Sequence, residues 1–250
     1  MPSFRNGDVE IVYLDQGTGD PIVLVHGFAS NKETNWVQPG WVSTLTRDNR
    51  RVIALDNRGH GQSSKFYDPA DYHTDQMAAD VAALIAHLGL ERADVMGYSL
   101  GARISAVLAA RHPERVRALI LGGVGIKLIE VAGLHSDIAR SLELPAIADV
   151  TDPQGKAFRL FAEQTKSDLK ALAACLRGSR QALQREDLAT VSAPTLVAAG
   201  TKDDIAGSPH ELAALFPNGH ALEIANRDHM LAVGDRIYKA GVLAFLKERA

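Results

Sequence analysis

The sequence predicts an α/β protein: a mostly parallel central sheet covered by helices on both faces, with a small helical insertion ahead of its last strands. Three observations carry this. Six short apolar runs, each bounded by turn residues, have the texture of strands buried on both faces. Helical patterns separate most of these runs, and such alternation marks a parallel sheet. The rhythm breaks only between residues 125 and 190, where helical pattern continues without a strand, cut by Pro145 and by Asp152-Pro153-Gln154-Gly155.

The strand candidates are Pro21 to Val25, Val52 to Leu55, Ala93 to Gly97, Val116 to Leu121, Thr195 to Ala199 and a weaker Ala221 to Ile224. Between the second and third, Met77, Val81, Leu84, Ile85 and Leu88 recur at helical spacing, and Gly89 stands where a helix stops. Leu100 to Ala110 reads as the next helix, with Pro113 just beyond it. The last helix is expected from about Met230 to Glu248. Residues 1–124 and 191–250 then form the core, and 125–190 a helical insertion lying over the sheet.

Composition narrows the function classes. A chain of 250 residues, 46 % apolar and 23 % charged, suits one soluble α/β unit with a large core. Its net charge of −3 gives no electrostatic case for nucleic acid or an anionic membrane. No stretch approaches the ~20 apolar residues of a membrane helix, and the first residues lack the apolar run of a leader. A cytoplasmic protein is expected. The single cysteine, Cys175, excludes an intrachain disulfide, and its Ala/Leu-rich surroundings make it a small buried apolar residue.

The chemistry is announced by Gly97-Tyr98-Ser99-Leu100-Gly101, which closes one strand and opens the next helix. A serine on so tight a turn has a strained backbone, and the flanking glycines keep side chains away. Its hydroxyl needs a base. Of the histidines beyond the penultimate strand, His210 sits in a helical stretch and His220 in a turn. His229 sits in the polar loop Asn226-Arg227-Asp228-His229, where it can reach the carboxyl edge of the sheet. The acid that orients the imidazole is sought after Thr195 to Ala199. Asp203 is the first candidate there and Asp204 its rival. Asp228, adjacent to His229, is badly placed to bond its neighbour's ring. An oxyanion hole is expected from the backbone amides of Phe28 and Leu100, with His26 bracing the turn. Trp36 and Trp41 read as packing residues. Gly122-Gly123-Val124-Gly125 lacks the third glycine of a dinucleotide fingerprint, and no histidine pair has zinc-ligand spacing, so neither cofactor nor metal is expected.

Taken together, His26-Gly27-Phe28, Asp56-Asn57-Arg58-Gly59-His60-Gly61-Gln62-Ser63, the Ser99 elbow and the loops carrying Asp203 and His229 resemble the α/β-hydrolase superfamily. The resemblance implies that 125–190 is a cap and that Asp56 to Ser63 is a structural loop. Serine at the elbow argues against the halide- and epoxide-opening members, which carry aspartate there. Ala102 departs from the second glycine that many relatives place after Gly101. The expected activity is hydrolysis of a small-molecule carboxylic ester or lactone through an acyl-enzyme. Carbon–carbon bond hydrolysis, enol-lactone opening and cofactor-free perhydrolysis use the same triad and stay open, as does a non-catalytic ligand receptor on this fold.

Overall fold

The computed structural model describes residues 1–130, 136–179 and 181–249. Eight strands form one sheet in the order β1-β2-β4-β3-β5-β6-β7-β8. β3 (Asp20–Val25), β4 (Arg50–Leu55), β5 (Ala93–Tyr98), β6 (Val116–Gly122), β7 (Thr195–Gly200) and β8 (Gly219–Ile224) run parallel. These are the six apolar runs of the sequence, lengthened by at most two residues. β1 (Ser3–Asn6) and β2 (Val9–Gln16) add an antiparallel edge beyond β4.

The helices are α1 (Trp41–Arg47), α2 (Thr74–His87), α3 (Leu100–Arg111), α4 (Lys127–Glu130), α5 (Ser136–Glu143), α6 (Pro153–Gln164), α7 (Leu169–Gly178), α8 (Arg185–Ala189), α9 (Pro209–Ala213) and α10 (Arg236–Glu248). Because successive strand residues face opposite ways, the sheet feeds two cores. Val23, Val25, Ile53, Leu55 and Val95 bury against α2 and α3. Ile22, Leu24, Val52, Ala54 and Met96 bury against α1 and α10, where Trp36 and Trp41 meet edge to face at 6.3 Å. Both indoles are wholly buried, as packing residues should be.

α2 ends as the sequence predicts, on Gly89 with φ +69°. The last helix begins at Arg236, later than the expected Met230. The carboxylate of Asp228 accepts from the N–H groups of Met230 and Leu231 at 3.0 and 2.8 Å, closing a turn. Asp235 then caps the helix by accepting from the Ile237 N–H at 2.7 Å. Two acidic side chains bonding the backbone ahead of them divide what the apolar pattern reads as one element.

Helices α4 to α8 occupy the interval between β6 and β7; residues 131–135 and 180 of it lie outside the described residues. Ile138, Leu142, Leu172 and Cys175 from this interval share one buried cluster with the sheet. Burial pushes the Cys175 thiol up to about 12, so it is an inert packing group.

Candidate active site

The loops leaving β3, β5, β7 and β8 meet at the carboxyl edge of the sheet, where parallel α/β folds gather ligand-binding residues. Ser99 stands between β5 and α3 with φ 54° and ψ −113°, a conformation that L-residues occupy only under constraint. The constraint is visible at its flanking glycines. A Cβ on Gly97 would stand 2.2 Å from the Gly101 carbonyl, and one on Gly101 would stand 2.0 Å from the Val25 carbonyl. Both obstacles are backbone, so the elbow closes only with glycine at these positions.

Ser99 Oγ lies 3.0 Å from Nε2 of His229, whose Nδ1 lies 2.8 Å from Oδ2 of Asp203. The other oxygen of Asp203 accepts from the N–H groups of Ile205 and Ala206, both at 3.0 Å. With a carboxylate facing Nδ1, the ring proton belongs there and Nε2 is left to accept from the serine. Asp203 and His229 are both buried. Asp204 is exposed; its backbone carbonyl accepts from the Lys127 ammonium at 2.7 Å, and it lines a cleft beside Ser99 without bonding His229. His210 is exposed beside Glu223, His220 is exposed, and Asp228 serves the turn described above.

The turn after β3 lies against the elbow: a Cβ on Gly27 would be 3.4 Å from that of Ser99. It turns through Ala29 at φ 57° and closes with the Ser30 N–H donating to the Gly27 carbonyl at 3.3 Å. Leu100 is the first residue of α3, so its N–H is one of those a helix leaves unused. His26 accepts from the Asn57 N–H through Nε2 at 3.0 Å, which makes it a brace between the β3 and β4 loops.

Two further side chains escaped the sequence reading. The Tyr98 hydroxyl donates to the His229 carbonyl at 2.6 Å, tying the histidine loop to the elbow strand. Burial raises this phenol's pKa, so it stays a donor. Asn35 accepts from the Gly27 N–H through Oδ1 at 3.0 Å and so holds the β3 turn. Either contact joins residues whose relation only the folded chain defines.

Behind the turn, His26 and His60 are fully buried, 5.2 Å apart between ring centres. Burial, aided by the neighbouring His26, drives the His60 pKa from its ordinary value down to about 3. Its Nε2 has no hydrogen-bond partner among the described residues. The folded pKa lies below the unfolded one, so the stabilising contribution is complete above the unfolded value and is lost as the pH falls towards 3. Between pH 7 and pH 5 the wild type should therefore lose about 2 kcal/mol more unfolding free energy than the His60→Gln variant. Urea titrations at the two pH values measure this difference, and parallel losses would refute it.

Two clefts open on Ser99. One, of about 430 Å³, runs between the elbow helix and the 125–190 helices, with Leu128 and Leu176 in its wall. The other, of about 210 Å³, includes His229, Phe158 and Phe161. Ser99 and Phe28 line both.

A family model described as the alpha/beta hydrolase fold matches residues 20–140. Over 246 residues the chain is 31 % identical to the dihydrolipoyllysine-residue acetyltransferase component of the acetoin cleaving system of Pseudomonas putida, covering 92 % of this chain and 64 % of that one. Over 123 residues it is 37 % identical to 2-hydroxymuconate semialdehyde hydrolase of Pseudomonas sp. strain CF600, covering 49 % of this chain and 43 % of the relative. The chain thus spans 64 % and 43 % of these curated relatives' lengths. Among solved structures, the enol-lactonase from Burkholderia xenovorans LB400 superposes with a TM-score of 0.81 at 22 % identity, over 99 % of this chain and 100 % of that one. The protein has the alpha/beta hydrolase fold.

Proposed function

We propose that this protein is a serine hydrolase that opens a small-molecule carboxylic ester or lactone through an acyl-enzyme, with 125–190 as its cap. The observation that carries the reading is the hydrogen-bonded row from Ser99 through His229 to Asp203. Ser99 Oγ adds to the carbonyl carbon while His229 Nε2 takes its proton. The carbonyl oxygen gains the negative charge between the amides of Phe28 and Leu100. His229 returns the proton to the departing oxygen, and the acyl group remains on Ser99. Water then gives a proton to His229 and adds to the acyl carbon; collapse frees the acid and restores the serine. Asp203 holds the ring and stabilises its transient charge.

A second reading has a specific support. The chain is 37 % identical over 123 residues to a 2-hydroxymuconate semialdehyde hydrolase, and the same nucleophile and base can serve carbon–carbon bond hydrolysis. Both readings require an activated Ser99. A fluorophosphonate probe should therefore label the protein stoichiometrically, with mass spectrometry placing the adduct on the peptide containing Ser99. Labelling elsewhere, or none, would remove both. Turnover of a short-chain aryl ester beside a vinylogous 1,5-diketone then ranks them.

A further inference from the structure

We infer that the two clefts sort the substrate, the larger taking the acyl group and the smaller taking the leaving group, so that preferred esters join a bulky apolar acid to a small alcohol. This rests on the serine-hydrolase reading above and adds a direction to it. The direction follows from proton transfer. The leaving oxygen must receive its proton from His229 Nε2, so the group attached to that oxygen lies on the histidine's side of Ser99. His229 lines the cleft of about 210 Å³ and is absent from the lining of the one of about 430 Å³. With the oxyanion held at the Phe28 and Leu100 amides, the remaining substituent of the tetrahedral carbon is the acyl chain, and the larger cleft receives it.

Each cleft has the walls this requires. Leu128, Leu176 and Ile205 belong to a mainly apolar wall of the larger, suited to a long or aromatic chain, and Arg103, Lys127 and Asp204 are the charged residues that line it as well. The smaller is closed by Phe158 and Phe161 of α6. That wall is fastened in place: the Thr165 hydroxyl, at the end of α6, donates to the Ala29 carbonyl of the β3 turn at 2.9 Å. The Phe28 ring stands between the clefts with its centre 5.9 Å from that of Phe158 and 5.8 Å from that of His60. Half-exposed Met230 completes the small cleft and gives it a short path to solvent, by which a small alcohol leaves.

Two isomeric esters test the direction at equal composition: methyl 4-phenylbutanoate, with the bulk on the acid, and 3-phenylpropyl acetate, with it on the alcohol. The wild type should favour the methyl ester in kcat/KM by about tenfold or more, the scale on which an apolar cleft discriminates by size. Phe161→Ala, which widens the small cleft, should lower that ratio by about fivefold or more. A ratio near one, a preference for the acetate, or a ratio unmoved in Phe161→Ala overturns the inference. p-Nitrophenyl acetate and fluorophosphonate labelling run alongside. If these succeed while the isomers show no preference or are not hydrolysed, only the sorting fails. If they fail too, the hydrolase reading falls with it.

Discussion

Replacing Ser99 with alanine should lower kcat for an aryl ester on the order of 10⁶-fold, the loss seen when the nucleophile of such a triad is removed. The expectation comes from what remains. Without Oγ, His229 Nε2 has no proton to accept and the two amides have no alkoxide adduct to stabilise; only water held near the base can react. The backbone supplies a control. Ser99 sits at φ 54°, a region that penalises any side chain, so alanine inherits the strain while glycine escapes it. Ser99→Gly should be as inactive as Ser99→Ala yet unfold about 1 kcal/mol later. Ester kinetics and urea titration of the three proteins read both effects. Ester hydrolysis persisting at a tenth of the wild-type rate or above in Ser99→Ala would end the acyl-enzyme reading.

That glycine test also marks where sequence reading succeeds. The six parallel strands were legible because burial on both faces forces continuous apolar runs, as in Ile22 to Val25 and Val52 to Leu55. β2 was not, because it is wetter on one face: Val9, Ile11 and Tyr13 alternate with half-buried residues and leave no run to notice. β1 is only four residues long, with Phe4 alone buried. The elbow was legible because its glycines answer a local steric demand. The start of α10 was not, because Asp228 and Asp235 decide it by bonding backbone groups that an apolar pattern ignores. Tyr98 and Asn35 belong to a third kind. Tyr98 reaches a carbonyl 131 positions away, and no local pattern encodes that contact. The two clefts are of this kind as well, since their walls come from the elbow, the β3 turn and the 125–190 helices together.

Asp203 and Asp204 are the sharpest case, equal by residue type and adjacent in sequence, and their substitution should separate them by orders of magnitude. Asp203→Asn is expected to lower kcat about 10⁴-fold while Asp204→Asn stays within about tenfold of wild type. The reason lies in the two backbone donors. The N–H groups of Ile205 and Ala206 point at one oxygen of Asp203 from 3.0 Å. In the asparagine variant those donors require the amide oxygen on their side, which turns the amide NH₂ towards His229 Nδ1. An NH₂ group there can only donate, so Nδ1 must accept and the ring proton moves to Nε2. Nε2 then faces Ser99 as a donor and cannot take its proton. The fold should survive, because every partner keeps a bond of the same length, and melting temperatures of the two variants provide the check. Asp204 has no such part: its side chain is exposed and its carbonyl partner, Lys127, bonds the backbone. If Asp204→Asn proves the damaging change and Asp203→Asn the mild one, the row assigned around His229 is wrong.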